Sequence, residues 1–183
     1  IDADGTNLKE LPDTLGLSND HFCWSPSGKG IAFVKKESSS TLLSESDIYV
    51  TNRDGSVVRK LTSSKGNYGQ LSWSPDGKLI VFTKSSSGPD EIWLIDSNGV
   101  SHKLTDGTYP FWSPNGKQIA FTLEKMDGIS SMGQTLGIIN VDDGTQYHFT
   151  PKDKWLLEEP SGICWSPNGD KLFFISRGHI YSI

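Results

Sequence analysis

Cysteine and methionine are scarce, two of each among 183 residues. Apolar stretches are as short as Leu172 to Ile175, far below the roughly 18 residues a membrane-crossing helix needs, so no transmembrane helix is expected. Basic residues are outnumbered, 17 Lys and Arg against 22 Asp and Glu. The net charge of −5 leaves no basic footprint for neutralising phosphates, which makes nucleic acid an unexpected partner. Helical periodicity is absent throughout. Apolar residues reach only 34%, yet six Trp and eight Phe argue against disorder and for a core of a few large side chains. Turn formers are abundant, 19 Gly and nine Pro. A chain of this length buries a core without disulfides or a metal, and one domain is expected over residues 1–183. It begins at Ile1 without a basic and apolar leader, as expected of a processed product or a part of a longer polypeptide.

One phrase occurs four times. It reads Trp24-Ser25-Pro26-Ser27-Gly28-Lys29, Trp73-Ser74-Pro75-Asp76-Gly77-Lys78, Trp112-Ser113-Pro114-Asn115-Gly116-Lys117 and Trp165-Ser166-Pro167-Asn168-Gly169-Asp170. Seven residues after each Trp an apolar triplet begins: Ile31-Ala32-Phe33, Ile80-Val81-Phe82, Ile119-Ala120-Phe121 and Leu172-Phe173-Phe174. Their β-branched and aromatic residues point to strand. Between Trp and triplet, Pro presets φ, Asp or Asn bonds nearby backbone and Gly accepts positive φ, so each phrase is a β-hairpin. A second hairpin follows around Asp54-Gly55, Asn98-Gly99 and Asp143-Gly144, with Leu61-Thr62, Leu104-Thr105 and Phe149-Thr150 beyond.

The unit is therefore four antiparallel strands, and successive repeat Trp residues lie 49, 39 and 53 positions apart. Such spacing brackets the roughly 40 to 50 residues of one propeller blade. The expected architecture is all-β, a β-propeller with four blades' worth of strands at about 13–62, 66–105, 107–150 and 160–183 plus 1–12. The last blade lacks its second turn and outer strand, which Asp2-Ala3-Asp4-Gly5 and Leu11 match. Pairing the two termini would close a ring without a free edge, and a monomeric ring is favoured over a ring shared between two chains. The four repeat Trp residues are expected on inner strands and largely buried.

Trp-Ser-Pro-Asp-Gly-Lys followed by Ile-x-Phe resembles the repeat of TolB-type β-propellers, over nearly the whole chain. That resemblance implies a periplasmic or extracellular location and a protein-binding role. It equally implies kinship with the noncatalytic propellers of prolyl-oligopeptidase-type peptidases.

Catalytic chemistry is not legible. No Gly-x-Ser-x-Gly elbow occurs. The string Gly128-Ile129-Ser130-Ser131-Met132-Gly133 has the wrong spacing and reads as loop, and Gly28-Lys29-Gly30 is turn rather than phosphate cradle. His21, His102, His148 and His179 show no metal-ligand spacing. Asp2, Asp4, Asp142 and Asp143 serve turns better than a calcium loop. No catalytic residue, metal or cofactor is assigned, and hydrolysis of peptides, esters or glycosides is not expected. Cys23 and Cys164 each precede a repeat Trp and are expected as two buried reduced thiols.

Connectivity puts both hairpin turns of every blade on one face, short and uniform. The other face carries the irregular connections, at Lys35 to Ser46, Lys84 to Asp90, Leu123 to Thr135 and between blades. Function grafted on a repeated scaffold resides in irregular loops. Three residues before the repeat Trp stand His21, Gln70, Tyr109 and, in the fourth blade, Gly162. With Tyr68 and with Trp155, which belongs to no repeat position, the first three make up the binding set. The reading favoured is a noncatalytic scaffold recognising protein or peptide. The alternatives are a propeller gating a hydrolase outside this chain, or a carbohydrate or envelope-binding module using exposed Trp155 and Tyr109.

Overall fold

The computed structural model describes residues 17–36, 45–64, 66–85, 87–127, 130–149, 163–176 and 179–183. They form fifteen strands. The first sheet runs β1 (Leu17–Trp24), β2 (Gly30–Lys36), β3 (Ser46–Asn52) and β4 (Val58–Lys60). The second runs β5 (Asn67–Trp73), β6 (Leu79–Ser85), β7 (Glu91–Asp96) and β8 (Ser101–Asp106). The third comprises β9 (Thr108–Trp112), β10 (Gln118–Asp127), β11 (Ser130–Asn140) and β12 (Gln146–Phe149). Three strands form the fourth, β13 (Cys164–Trp165), β14 (Leu172–Ser176) and β15 (His179–Ser182). All pairings are antiparallel, as the repeat requires.

The Trp phrases make the same hairpin each time, pairing Trp24 with Ile31, Trp73 with Ile80, Trp112 with Ile119 and Trp165 with Leu172. Gly28, Gly77, Gly116 and Gly169 take φ of 65°, 72°, 72° and 73°, the left-handed conformation that glycine adopts without a Cβ penalty. The Ser of each phrase closes the turn. Ser74 Oγ donates to Asp76 at 2.7 Å and accepts from the Leu79 N–H at 2.9 Å, and Ser113 repeats both bonds with Asn115 and Gln118 at 2.8 and 2.9 Å.

Middle strands carry the core. Ala32, Phe33, Val81, Phe82, Ala120 and Phe121 are buried, and β6 and β10 have a described blade on either side rather than solvent on one. Each such Phe stabilises the fold by about 1.5–3 kcal/mol through burial. Blades pack in chain order. Ala32, Val34 and Ile48 meet Ile80 and Phe82, Val81 and Leu94 meet Ile119 and Phe121, and Ala120 and Leu136 meet Leu172 and Phe174. The inner strands add polar links, with the Trp73 backbone N–H bonded to Cys23 and the Trp112 N–H donating to Ser72 Oγ at 3.3 Å.

Four expectations need correction or fall outside the described residues. Trp112 is 8% exposed, but Trp24 is 50% exposed. Each repeat Trp faces the preceding blade, and no blade of the described residues precedes β1. The segment Leu123 to Thr135, read as loop, is strand on both sides, with Glu124 paired to Gln134 and Asp127 to Ser130. Cys23 is half-buried and Cys164, on the outward side of the last sheet, is exposed; both are free thiols. Completion of the fourth blade by residues 1–12 lies outside the described residues.

Candidate functional site: the loop face

Two of the four inner strands carry a bulge three residues before the repeat Trp, and a third slips register in an interval that contains that position. In β5, Gly69 pairs with Thr83 and Leu71 with Phe82, so Gln70 is an inserted residue without a partner. In β9, Thr108 pairs with Thr122 and Phe111 with Ala120, leaving Tyr109 and Pro110 opposite one residue. In β1 the register slips between Leu17 and Phe22, the interval containing His21. Gln70 and Tyr109 have φ of 35° and 52°, and they are the two non-glycine residues with positive φ among those described. That conformation costs on the order of 1–3 kcal/mol for such residues and is held only where surrounding structure imposes it. Bulges of this kind re-aim a side chain at the end of a strand.

Adjacent inner strands bring these positions side by side. The His21 imidazole lies against Gly69, where an added Cβ would meet Nε2 at 3.4 Å. His21 and Gln70 are therefore neighbours across the first blade junction, and both are half-buried, as is Tyr109. Tyr68 has a different place. It is 5% exposed, its ring meets Phe82 edge-on at 5.6 Å and its hydroxyl donates to the Ser64 carbonyl at 2.8 Å. The bulge at Gln70 reverses the alternation of β5, turning Tyr68 to the same side as Leu71 and Trp73 and into the core between blades. Trp155 and Gly162 lie outside the described residues.

Charged groups at the loop end of the third strands are paired within their own blades. Asp47, 2% exposed, accepts from Lys60 Nζ and from Thr62 Oγ1, both at 2.6 Å. Glu91, at the same place in the second blade, accepts from Lys103 Nζ at 2.7 Å and from Trp93 Nε1 at 2.9 Å. The Lys103 ammonium holds the Glu91 carboxyl below the usual glutamate range, with Trp93 adding to it. Lys84 Nζ sits 4.7 Å from the Trp93 ring centre. The Thr62 hydroxyl is buried and also accepts the Ile48 N–H at 3.2 Å, so both of its bonds serve the blade. Among the described residues no three His, Cys, Asp or Glu side chains converge as metal ligands. Sequence reading did not anticipate these pairs, although an acid beginning the third strand and a Lys on the fourth recur in both blades.

A concavity of about 560 Å³ opens on the other face beside Ser25, Lys29, Trp73 and Asp76. Its walls are the recurring turns. The buried Trp73 Nε1 has no partner, and neither has Trp112 Nε1 at the equivalent position, whereas Trp165 Nε1 donates to the Phe111 carbonyl at 3.3 Å; the orphan donor recurs in two blades and marks no private site.

The TolB beta propeller domain family matches residues 6–181. The chain belongs to that family. Dipeptidyl-peptidase 5 of Porphyromonas gingivalis is 29% identical over 165 residues, covering 86% of this chain and 17% of that protein. The crystal structure of TolB from Acinetobacter baumannii is similar at TM-score 0.65 and 26% identity, over 86% of this chain and 38% of that one. A putative TolB from Agrobacterium tumefaciens shares the fold at TM-score 0.69 and 24% identity, over 86% and 54%. This TolB-type chain thus spans from about a sixth to about half of the length of these relatives. No helix among its described residues is long and apolar enough to cross a membrane.

Proposed function

We propose that this TolB-type propeller is a noncatalytic recognition module that holds an extended segment of a protein or peptide on its loop face. The observation that carries this reading is the pair of left-handed residues Gln70 and Tyr109, at equivalent bulges on neighbouring inner strands, with His21 beside the first. The turn face repeats one solution in every blade. The loop face instead holds an imidazole, an amide and a phenol, each able to donate and accept, the last two on left-handed backbone. A partly stripped polypeptide backbone offers the complementary groups. Similarity to TolB supports a cell-envelope location. In this reading Trp155 belongs to the binding set, and the chain turns over no substrate.

The test is selection of random peptides on the immobilised chain, followed by affinity measurement with a variant carrying His21→Ala, Gln70→Gly and Tyr109→Ala. Selected peptides are expected to bind the variant at least tenfold more weakly. Equal binding by the variant, or no enrichment on the wild type, overturns the reading.

Similarity to a dipeptidyl-peptidase favours a second reading, in which the propeller gates a hydrolase outside residues 1–183. A Gly-x-Ser-x-Gly elbow on the same polypeptide beyond Ile183 would select it.

A further inference from the structure

The four Trp phrases close the same turn, and one of them ties down the residue before its glycine differently. In the third phrase the Asn115 carboxamide oxygen is held twice, by Ser113 Oγ at 2.8 Å and by the Lys117 N–H at 2.9 Å. Asp76 in the second phrase is held the same way, by Ser74 Oγ at 2.7 Å and the Lys78 N–H at 3.1 Å. In the first, Ser27 meets Ser25 Oγ at 3.2 Å and the Lys29 N–H at 3.4 Å. In the fourth phrase Ser166 Oγ turns instead to Asp170, which stands where the third phrase has Lys117, and donates to its carboxylate at 2.8 Å. The Asn168 carboxamide makes no hydrogen bond among the described residues. In other respects the third and fourth turns are alike. Gly116 and Gly169 have φ of 72° and 73°, their N–H groups donate to the Ser113 and Ser166 carbonyls at 2.9 and 2.8 Å, and both Asn residues are exposed.

An Asn followed by Gly can react with its own chain, because glycine has no Cβ to obstruct the approach. We propose that Asn168 is a site of spontaneous deamidation in the folded protein, and that its two tethers protect Asn115 from the same reaction. The Gly169 nitrogen attacks Asn168 Cγ and gives its proton to solvent. The Cγ–Nδ2 bond breaks, and Nδ2 leaves as ammonia from a five-membered succinimide. Water then opens the ring. Addition at Cγ breaks the new bond to nitrogen and gives aspartate, the residue type that Asp76 is in the second phrase. Addition at the former backbone carbonyl breaks the original peptide bond and gives isoaspartate, whose chain runs through Cβ and Cγ. Water is the one co-reactant, and nothing is oxidised or reduced. To reach the glycine nitrogen the carboxamide must swing out of its place, which breaks two hydrogen bonds at Asn115 and none at Asn168. In isoaspartate the extra methylene falls inside the turn that the Gly169 N–H and the Ser166 carbonyl close. That turn anchors β13, which pairs through two residues, Cys164 with Phe173 and Trp165 with Leu172. Conversion therefore loosens the inner strand of the fourth blade. This inference does not depend on what the loop face binds.

The test is incubation of the full folded chain in mildly alkaline buffer, followed by mass-spectrometric peptide mapping that resolves the Asn-Gly pairs at 98, 115 and 168. Asn98 is tethered once, its Nδ2 donating to Asp96 Oδ2 at 3.4 Å, so the expected order of conversion is Asn168, Asn98, Asn115. Asn168 should convert about tenfold faster than Asn115, the factor that two net hydrogen bonds supply. In urea the difference should shrink, which separates the tether from the influence of neighbouring sequence. Asp170→Lys recreates the third phrase around Asn168, and with circular dichroism reporting an unchanged fold it should slow conversion there to the rate of Asn115. An order in which Asn168 is not first overturns the proposal. So does a difference that persists undiminished in urea, or an unchanged Asn168 rate in the folded Asp170→Lys variant.

Discussion

On the turn face, Ser25, Ser74, Ser113 and Ser166 each accept a backbone N–H from five residues on, at 3.1, 2.9, 2.9 and 2.9 Å. Three residues before the same Trp, toward the loop face, the side chains are an imidazole, an amide and a phenol, two of them on left-handed backbone. The first region is what a blade needs in order to reverse direction, so selection for folding holds it constant. The second differs from blade to blade in its side chains, although the bulge at Gln70 also turns Tyr68 into the core. Function and stability should consequently separate by face.

The largest effect that tests this separation lies in the core supporting both faces. Phe121→Ala should lower stability by about 3–5 kcal/mol in urea unfolding, since the ring is fully buried between two blades. Tyr109→Ala, two residues from the repeat-phrase neighbour Phe111, should cost about 1 kcal/mol or less. A comparable loss for both would erase the distinction. Next in size is Ser113→Ala on the turn face. It removes the acceptor for the Gln118 N–H and the donor to Asn115 at a fully buried site, and about 1–3 kcal/mol should be lost. His21→Ala should leave the unfolding midpoint within about 0.5 kcal/mol of wild type.

Gln70→Gly should move stability the other way, by about 0.5 kcal/mol upward, because relief of left-handed strain outweighs the added freedom of the unfolded chain. A drop in melting temperature would show that the Gln70 side chain supports the fold after all. The smallest effect is acid sensitivity. Asp76, Asp96 and Asp143 sit in turns whose hydrogen bonds hold their carboxyls below the usual aspartate range. The largest of these comes from the Ser74 hydroxyl for Asp76, and from the Val100 and Thr145 N–H groups for the other two. Depressed native values mean that this stabilisation is present above about pH 4 and fades as pH falls through the native values. The triple variant Asp76→Asn, Asp96→Asn, Asp143→Asn should flatten the decline in urea midpoint between pH 6 and 3. An unchanged slope would remove these carboxylates from the turn account.

Repeat phrase and hairpins were legible because Pro, Asp or Asn, and Gly act through their own backbones. Burial of the repeat Trp residues was less so, since it depends on which blade lies opposite: Trp24 and Trp112 occupy one sequence position and differ sixfold in exposure. Tyr68 was misplaced for a local reason. A one-residue bulge at Gln70 flips every side chain before it, and nothing in Asn67-Tyr68-Gly69-Gln70 announces an insertion. The β10–β11 hairpin escaped because Glu124 and Gln134 pair without an apolar alternation to reveal strand. His21, Gln70 and Tyr109 were found by counting back from the Trp, while their backbone strain had no sequence signature.

The central claim is that recognition belongs to the loop face. Hydrogen exchange of the chain with and without a selected peptide tests it directly. Protection gained in residues 67–71 and 107–111 is the result expected. Protection confined to the turns at 25–30, 74–79 and 113–118 would contradict it.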